Sequence, residues 1–221
     1  MRLPLSAAHD ETLGRYDKMR ILHAISIVAV ALLAVPAIAQ QTTTPPAGNT
    51  PRPPPLVLTT PAFEDGGMIP VQFSQAAEGA APGEGPSLPF EWTNVPEGTQ
   101  SFLLHMHDLD AARMGTTEDQ LHWLVWNIPG TETGLAEAQP RGRTLANGAF
   151  QVSATGDVYR GPGAPASGPL HHYVFELYAL DTVLTTEPGE DAFETRRNVM
   201  DEVQGHVLGK AVYVGYFRRP S

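Results

Sequence analysis

Glycine and proline constrain the fold of this chain more than any other feature of its sequence. Each occurs 21 times among the 221 residues, so about one residue in five interrupts a helix. This load disfavours a helical bundle and favours short strands that are joined by many turns. With 42% hydrophobic and 17% charged residues, the chain still has enough apolar side chains to bury a core.

The charge and the missing cysteines exclude several classes of site. A formal net charge of -10 argues against nucleic acid, whose phosphates need clustered Lys and Arg, and against docking on anionic membranes. Without cysteine, the chain forms no disulfide and has no thiolate metal site or cysteine nucleophile. The stability of the folded domain must therefore come from its core.

The first 39 residues have the pattern of a secretory signal peptide. Arg20 precedes an apolar run over residues 25–35, and residues 37–39 (Ala-Ile-Ala) form an A-x-A cleavage site. The run is shorter than the about 20 residues that a membrane-spanning helix needs. We therefore expect export to the periplasm or secretion, with residues 1–39 removed and no stable membrane insertion afterwards. An uncleaved anchor is the alternative, and Met19 is an alternative start of translation.

The rest of the chain divides into a linker and one domain. Residues 40–55 contain six prolines and almost no apolar side chains, which is typical of a flexible or polyproline-like linker. We expect a single folded domain over residues 56–221.

Apolar runs of β type predict a mainly β domain with a helix near its C-terminus. The runs at 101–107 and 122–128 are almost wholly apolar, so we expect them at the centre of the sheet. Helical spacing over residues 190–204, followed by Gly205, predicts the helix, with Arg196 and Arg197 on its solvated face. Further strands are expected at residues 56–60, 68–73, 90–92, 172–180 and 207–217.

Aspartate and histidine stand at the ends of three predicted strands. Asp108 and Asp110 follow the first, His122 opens the second, and His171 and His172 open the third. Because strand ends present side chains to pockets, we expect these residues to form one polar cluster. The alternative is a hydrogen-bonded network that only holds the strand ends together.

Seven short motifs follow one another along the domain. They are PAFEDGGMIP, SLPFEW, VPEGTQSF, HDLDA, HWLVWNIP, GPGAPASGPLHHYVFELYALD and GHVLGKAVYVGYF. Each motif alone is weak, but their order resembles the phosphatidylethanolamine-binding protein family, most closely its bacterial Raf-kinase-inhibitor-like branch. The resemblance covers essentially the whole domain. It implies a large central β-sheet that packs on a smaller sheet, with helical structure at the C-terminal end.

The resemblance also implies which residues bind a ligand. Leu109 and Ala112 stand where the family has proline, and Gly163-Ala164 stands where a small residue and a proline are usual. These departures affect the identity of the ligand more than the fold. The positions that match the family's signature are Asp108, Asp110, His122, Gly161, Pro162, Pro165, His171 and Tyr173.

The residue types of this pocket suit a small anion. Imidazole N–H, phenol O–H and free backbone N–H groups donate to phosphate oxygens, and aspartate orients a histidine or attracts an ammonium group. We expect an exported, non-enzymatic binding protein for a small anion or phosphorylated head group, with affinity rising as the pH falls through about 6.5. The alternative function is a protein-interaction module that inhibits a protease or kinase. The oligomeric state stays open, with a homodimer among the alternatives.

A metal site and catalysis have weaker support. His105 and His107 lie two residues apart on a strand, so both rings face one side and are able to share an ion. Leu109, however, stands where the His-x-His-x-Asp-His pattern of metal hydrolases has aspartate, and the resembling family has ordinary strand residues at 105 and 107. The chain also lacks a Gly-x-Ser-x-Gly motif. We therefore expect no metal, no cofactor and no enzymatic activity.

Overall fold

The computed structural model describes residues 53–221. The predicted signal peptide and most of the predicted linker lie outside these residues. The described part forms nine strands, one short 3-10 helix over Val71–Phe73 and one α-helix, α1 (Ala192–Glu202). The strands are β1 (Val57–Thr59), β2 (Gly67–Met68), β3 (Phe90–Thr93), β4 (Ser101–Ala112), β5 (Asp119–Pro129), β6 (Gly134–Leu135), β7 (Phe150–Val152), β8 (His171–Leu180) and β9 (Val207–Phe217).

The strands form two sheets. The larger sheet has six strands in the order β2-β9-β8-β4-β5-β7, and the smaller has three in the order β1-β3-β6. All neighbouring strands are antiparallel except β2, which runs parallel to β9. The prediction of a mainly β fold with a large sheet, a smaller sheet and a C-terminal helix is confirmed.

Alternation along the strands of the large sheet creates two hydrophobic cores. Phe102 and Leu104 of β4 pack with Trp92 of the smaller sheet in the larger cluster. Leu103, which lies between them in sequence, packs on the opposite face with Val199 of α1. Strands β4 and β5 are therefore buried on both faces, as their nearly continuous apolar runs predict.

Helix α1 begins and ends at the predicted signals but turns a different face to the sheet. The carboxylate of Asp191 caps its first turn, and Gly205 follows it with a φ of +86°. The prediction that Arg196 is solvated is wrong, because this residue is only 7% exposed and its guanidinium donates to Asp119. Arg197 is exposed, as predicted.

The strand predicted over residues 68–73 is shorter than expected. Of this segment only Met68 belongs to a strand, β2, which pairs with β9. The chain then turns into the 3-10 helix after Pro70, which lacks the N–H that a continuing strand needs. The sequence analysis also missed β6 and β7, which have two and three residues. Runs this short show too little alternation to be recognised.

Candidate functional site

Three strand ends meet at one rim of the large sheet. Because β5 and β8 both run antiparallel to β4, their first residues lie beside its last ones: Asp108 pairs with Gln120 on one side and with Tyr173 on the other. The predicted convergence of the polar residues is thus present. A cavity of about 190 Å³ opens at this rim, lined by Gln75, Asp108, Ala111, Gln120, His122, Arg160, Gly163, Ala164, Pro165, His171 and Tyr173.

Asp108 orients His171. The Asp108 carboxylate is 3% exposed, and its Oδ2 lies 2.8 Å from Nδ1 of His171. Its other oxygen accepts from the backbone N–H of Asp110 at 2.9 Å. An ionised carboxylate only accepts hydrogen bonds, so Nδ1 of His171 carries the proton. The second nitrogen of this cavity-lining ring, Nε2, is left for a ligand.

His122 is a neutral ring in the free protein. Its Nδ1 lies 2.9 Å from the backbone oxygen of Arg160, and since a carbonyl only accepts, Nδ1 is the donor. Burial lowers the pKa of His122 to about 4, because the charged ring loses its hydration. At neutral pH its Nε2 is therefore an acceptor. The expectation of a histidine that titrates near 6.5 does not apply to His122.

Tyr173 holds the glycine-rich loop over the cavity. Its hydroxyl oxygen accepts from the backbone N–H groups of Gly163 at 3.1 Å and Ala164 at 3.2 Å. Burial, helped by the nearby Asp108 charge, raises the pKa of Tyr173, so the hydroxyl keeps its proton and is able to donate it. A Cβ at residue 163 would lie 2.4 Å from Nε2 of Gln75, so a larger residue there would displace the Gln75 side chain from its place beside the loop.

Three of the predicted ligand residues lie outside the cavity wall. Asp110 faces the outer rim, where its Oδ2 accepts from the backbone N–H and from Nδ1 of His172 at 2.6 and 2.8 Å. The carbonyls of Gly161 and Pro162 accept from the side chain and backbone of Gln75 at 2.8 and 2.9 Å. These residues fix the rim and the loop, while Asp108, His122, Pro165, His171 and Tyr173 line the cavity itself.

The sequence analysis missed the cation of the site. Arg160 lines the cavity; its Nη1 donates to Thr155 at 2.7 Å, and its buried Nε has no hydrogen-bond partner among residues 53–221. Its position directly before Gly161 and Pro162, which open the glycine- and proline-rich loop, is a signal that could have found it. Gln75 gives no such signal, because it lies 86 residues before the loop that it binds. Gln120, Ala111, Gly163 and Ala164 were also missed.

Comparison with known proteins agrees with this architecture. A family model described as phosphatidylethanolamine-binding protein matches residues 59–218. The chain belongs to this family. A UPF0098 protein of the archaeon Methanothermobacter thermautotrophicus is 40% identical over 164 residues, which cover 73% of this chain and 98% of the relative.

Solved structures of phosphatidylethanolamine-binding protein relatives share the fold. The homolog CT736 from Chlamydia trachomatis matches with a TM-score of 0.62 at 26% identity, over 75% of this chain and 99% of its own. YbcL of Escherichia coli, described as a member of the mammalian family, also matches with a TM-score of 0.62, over 76% of this chain and all of its own. At 23% identity, YbcL supports the fold alone.

One relative bears on export. The Mycobacterium tuberculosis protein LppC, named as a candidate lipoprotein, is 31% identical over 171 residues, which cover 77% of this chain and 78% of the relative. Among residues 53–221, no helix is both long and apolar enough to span a membrane. The name of this relative is compatible with an exported protein.

Proposed function

We propose that the rim cavity binds a small phosphorylated anion, and that the protein is an exported binding protein without enzymatic activity. The observation that supports this proposal is that Arg160, Tyr173 with its hydroxyl group and two histidines line one cavity. Its volume of about 190 Å³ holds roughly six water molecules, which is enough for a head group but not for the acyl chains of a lipid.

The donors and acceptors that line the cavity predict that ligand binding is coupled to proton uptake. Arg160 and Tyr173 donate, but the free nitrogen of a neutral His122 accepts, and so does that of His171 whenever its ring is neutral. An anion is accommodated when a ring becomes protonated or when the ligand brings its own P–OH group. We therefore expect each binding event to take up protons, and affinity to rise as the pH falls.

The same arrangement supports binding without chemistry. The cavity-lining residues include no serine, threonine or cysteine that would act as a nucleophile, within the part of the chain that the structure describes. Asp108 orients His171, as a carboxylate does in catalytic pairs. The same hydrogen bond also explains binding alone, because it directs Nε2 of His171 towards a bound ligand oxygen. A ligand recovered unchanged after long incubation with the protein would agree with this view, whereas a product would contradict it.

Calorimetric titration tests the proposal. Inorganic phosphate, phosphoethanolamine and acetate are titrated at pH 5.5 and 7.5, in buffers of different ionisation enthalpy, so that proton uptake is counted directly. We expect the phosphorylated ligands to bind more tightly at pH 5.5 and with proton uptake. If none of these ligands binds the wild-type protein at either pH, the proposal is wrong.

Matched variants of neighbouring histidines locate the binding. His171→Gln removes the ring that lines the cavity, and His172→Gln removes a ring on the outer rim. We expect at least a tenfold loss of affinity for the first and less than a twofold loss for the second. Equal effects would place the ligand elsewhere. A partner protein that binds His171→Gln as tightly as wild type would contact a surface outside the cavity.

A further inference from the structure

A second polar cluster lies on the opposite face of the large sheet. His105 and His107 of β4 and Glu176 of β8 point to the side that carries α1, and His105 pairs directly with Glu176 in the strand register. Oε2 of Glu176 lies 3.7 Å from Nδ1 of His105 and 3.7 Å from Nε2 of His107. One possible ligand atom from each of the three residues lies within 4.8 Å of the other two.

The histidine nitrogens of this cluster are buried and unpartnered. Both ring nitrogens of His105 and Nε2 of His107 have no hydrogen-bond partner among residues 53–221. The two residues are only 6% and 9% exposed, so bulk water does not replace the missing partners. Buried polar atoms without partners are costly, and each one calls for a physical explanation.

Surrounding residues leave both rings with a free lone pair. Nδ1 of His107 lies 2.5 Å from Oδ2 of Asp119, a carboxylate that Arg196 holds at 2.9 Å, so the proton of His107 is on Nδ1 and Nε2 is free. A carboxylate that orients a histidine in this way is the common outer partner of metal-binding histidines. Neither ring nitrogen of His105 has a hydrogen-bond partner among residues 53–221, so this ring is also available to an ion.

Glu176 is fixed in place as the third group. The ammonium of Lys210 contacts Oε1, and the hydroxyl of Tyr178 donates to Oε2 at 2.9 Å. Oε2 therefore keeps one lone pair for the space between the two rings.

We propose that His105, His107 and Glu176 bind one divalent metal ion of the zinc class, with water as a fourth ligand. Two histidines and one carboxylate are an established ligand set for this ion, and bonds of about 2.1 Å place tetrahedral ligand atoms about 3.4 Å apart. The two 3.7 Å distances need to close by only a few tenths of an ångström. This site shares no residue with the cavity, which lies on the other face of the sheet.

Metal binding has a geometric consequence that an experiment can detect. The rings of His105 and His107 are stacked, with their centroids 4.3 Å apart and their planes 7° from parallel. An ion lies near the plane of each ring that binds it, so two parallel rings cannot both face one ion. We therefore expect the rings to tilt on binding, and their nitrogen resonances to shift strongly.

The test uses the full chain after removal of metal with a chelator. Zinc chloride is titrated by calorimetry, and ring nitrogens are followed by NMR of ¹⁵N-histidine-labelled wild-type protein. We expect one ion per chain with a Kd of about 10 μM or tighter, and shifts at His105 and His107. A Kd weaker than this, or shifts centred on His171, His172 or His206, would overturn the proposal. The NMR measurement requires no variant, so misfolding of a variant leaves the test decisive.

Variants provide an independent readout. Glu176→Gln keeps the shape of the side chain but loses the charge that attracts the ion, so we expect at least a tenfold weaker Kd. His206→Gln is the matched control, because His206 lies exposed beyond α1 and pairs with Asp181. The control should bind zinc like wild type. Unchanged affinity in a folded Glu176→Gln variant would refute the site.

Discussion

Replacing Tyr173 by phenylalanine isolates what one hydroxyl contributes to the cavity. The ring of Tyr173 is completely buried and packs edge-on against His122 at 5.0 Å, and phenylalanine preserves this packing. The substitution removes only the oxygen that accepts from the backbone N–H groups of Gly163 and Ala164. The loop over the cavity then loses the group that ties both N–H donors to the sheet.

The size of the effect follows from the burial of the two donors. Ala164 is 3% exposed, so its orphaned N–H bears a penalty of about 1–3 kcal/mol, while the half-buried Gly163 is able to turn towards water at less cost. We expect Tyr173→Phe to lower the free energy of unfolding by about 2–3 kcal/mol. For a domain of this length, that corresponds to a melting temperature lower by roughly 4–12 °C.

Urea unfolding of wild type and variant measures this loss directly. The midpoint should fall while the m-value stays constant, because the surface exposed on unfolding is unchanged. Tyr178→Phe is the control. The Tyr178 hydroxyl donates one hydrogen bond to Glu176, and Glu176 still contacts the ammonium of Lys210 when this bond is removed. We therefore expect the free energy of unfolding to fall by less than about 1.5 kcal/mol. If Tyr173→Phe is within about 0.5 kcal/mol of wild type, the hydroxyl does not hold the loop.

Three further predictions concern stability. Arg196→Met leaves Asp119 without its guanidinium partner and should cost about 2–4 kcal/mol in urea unfolding, whereas Arg197→Met on the exposed face should change stability by less than about 1 kcal/mol. Gly161→Ala places a Cβ 2.8 Å from a backbone carbonyl carbon and should cost about 1–3 kcal/mol, measured by the same assay. The pKa of His122 is about 4 in the folded protein and about 6.5 in the unfolded chain. Between pH 6.5 and pH 4, the unfolded chain therefore binds a proton at His122 while the folded protein does not. Stability should therefore fall by up to about 3 kcal/mol from pH 6.5 to 4, with His122→Gln showing a flatter profile; identical profiles would contradict the assignment.

The sequence predicted the sheet more reliably than the details of its edges. Long apolar runs identify β4 and β5 because burial on both faces removes the polar positions that would otherwise alternate. The face of α1 was misjudged because a helix with few large apolar residues allows two orientations. The ion pair of Arg196 with Asp119, 77 residues apart, decides between them. No local pattern contains such information.

The site was predictable where its residues follow strands and unpredictable where distant segments meet. Asp108, His122 and His171 converge because antiparallel neighbours must bring those ends together. Gln75 enters the cavity only through hydrogen bonds to the loop that starts at Gly161. Likewise, the spacing of the two histidines on β4 was visible in the sequence. Their proximity to Glu176 depends on how β8 pairs with β4, and no local sequence pattern shows this register.

Strand β4 carries consecutive residues into two different chemical environments. Asp108 belongs to the rim cavity, and His107, one peptide bond away, belongs to the cluster beneath α1. The backbone between them is paired to β5 on one side and to β8 on the other. Because the two residues share one peptide unit, we expect a ligand that displaces Asp108 to shift the backbone of His107 as well. An isotope label on His107 would thus report occupancy of a cavity that it never touches.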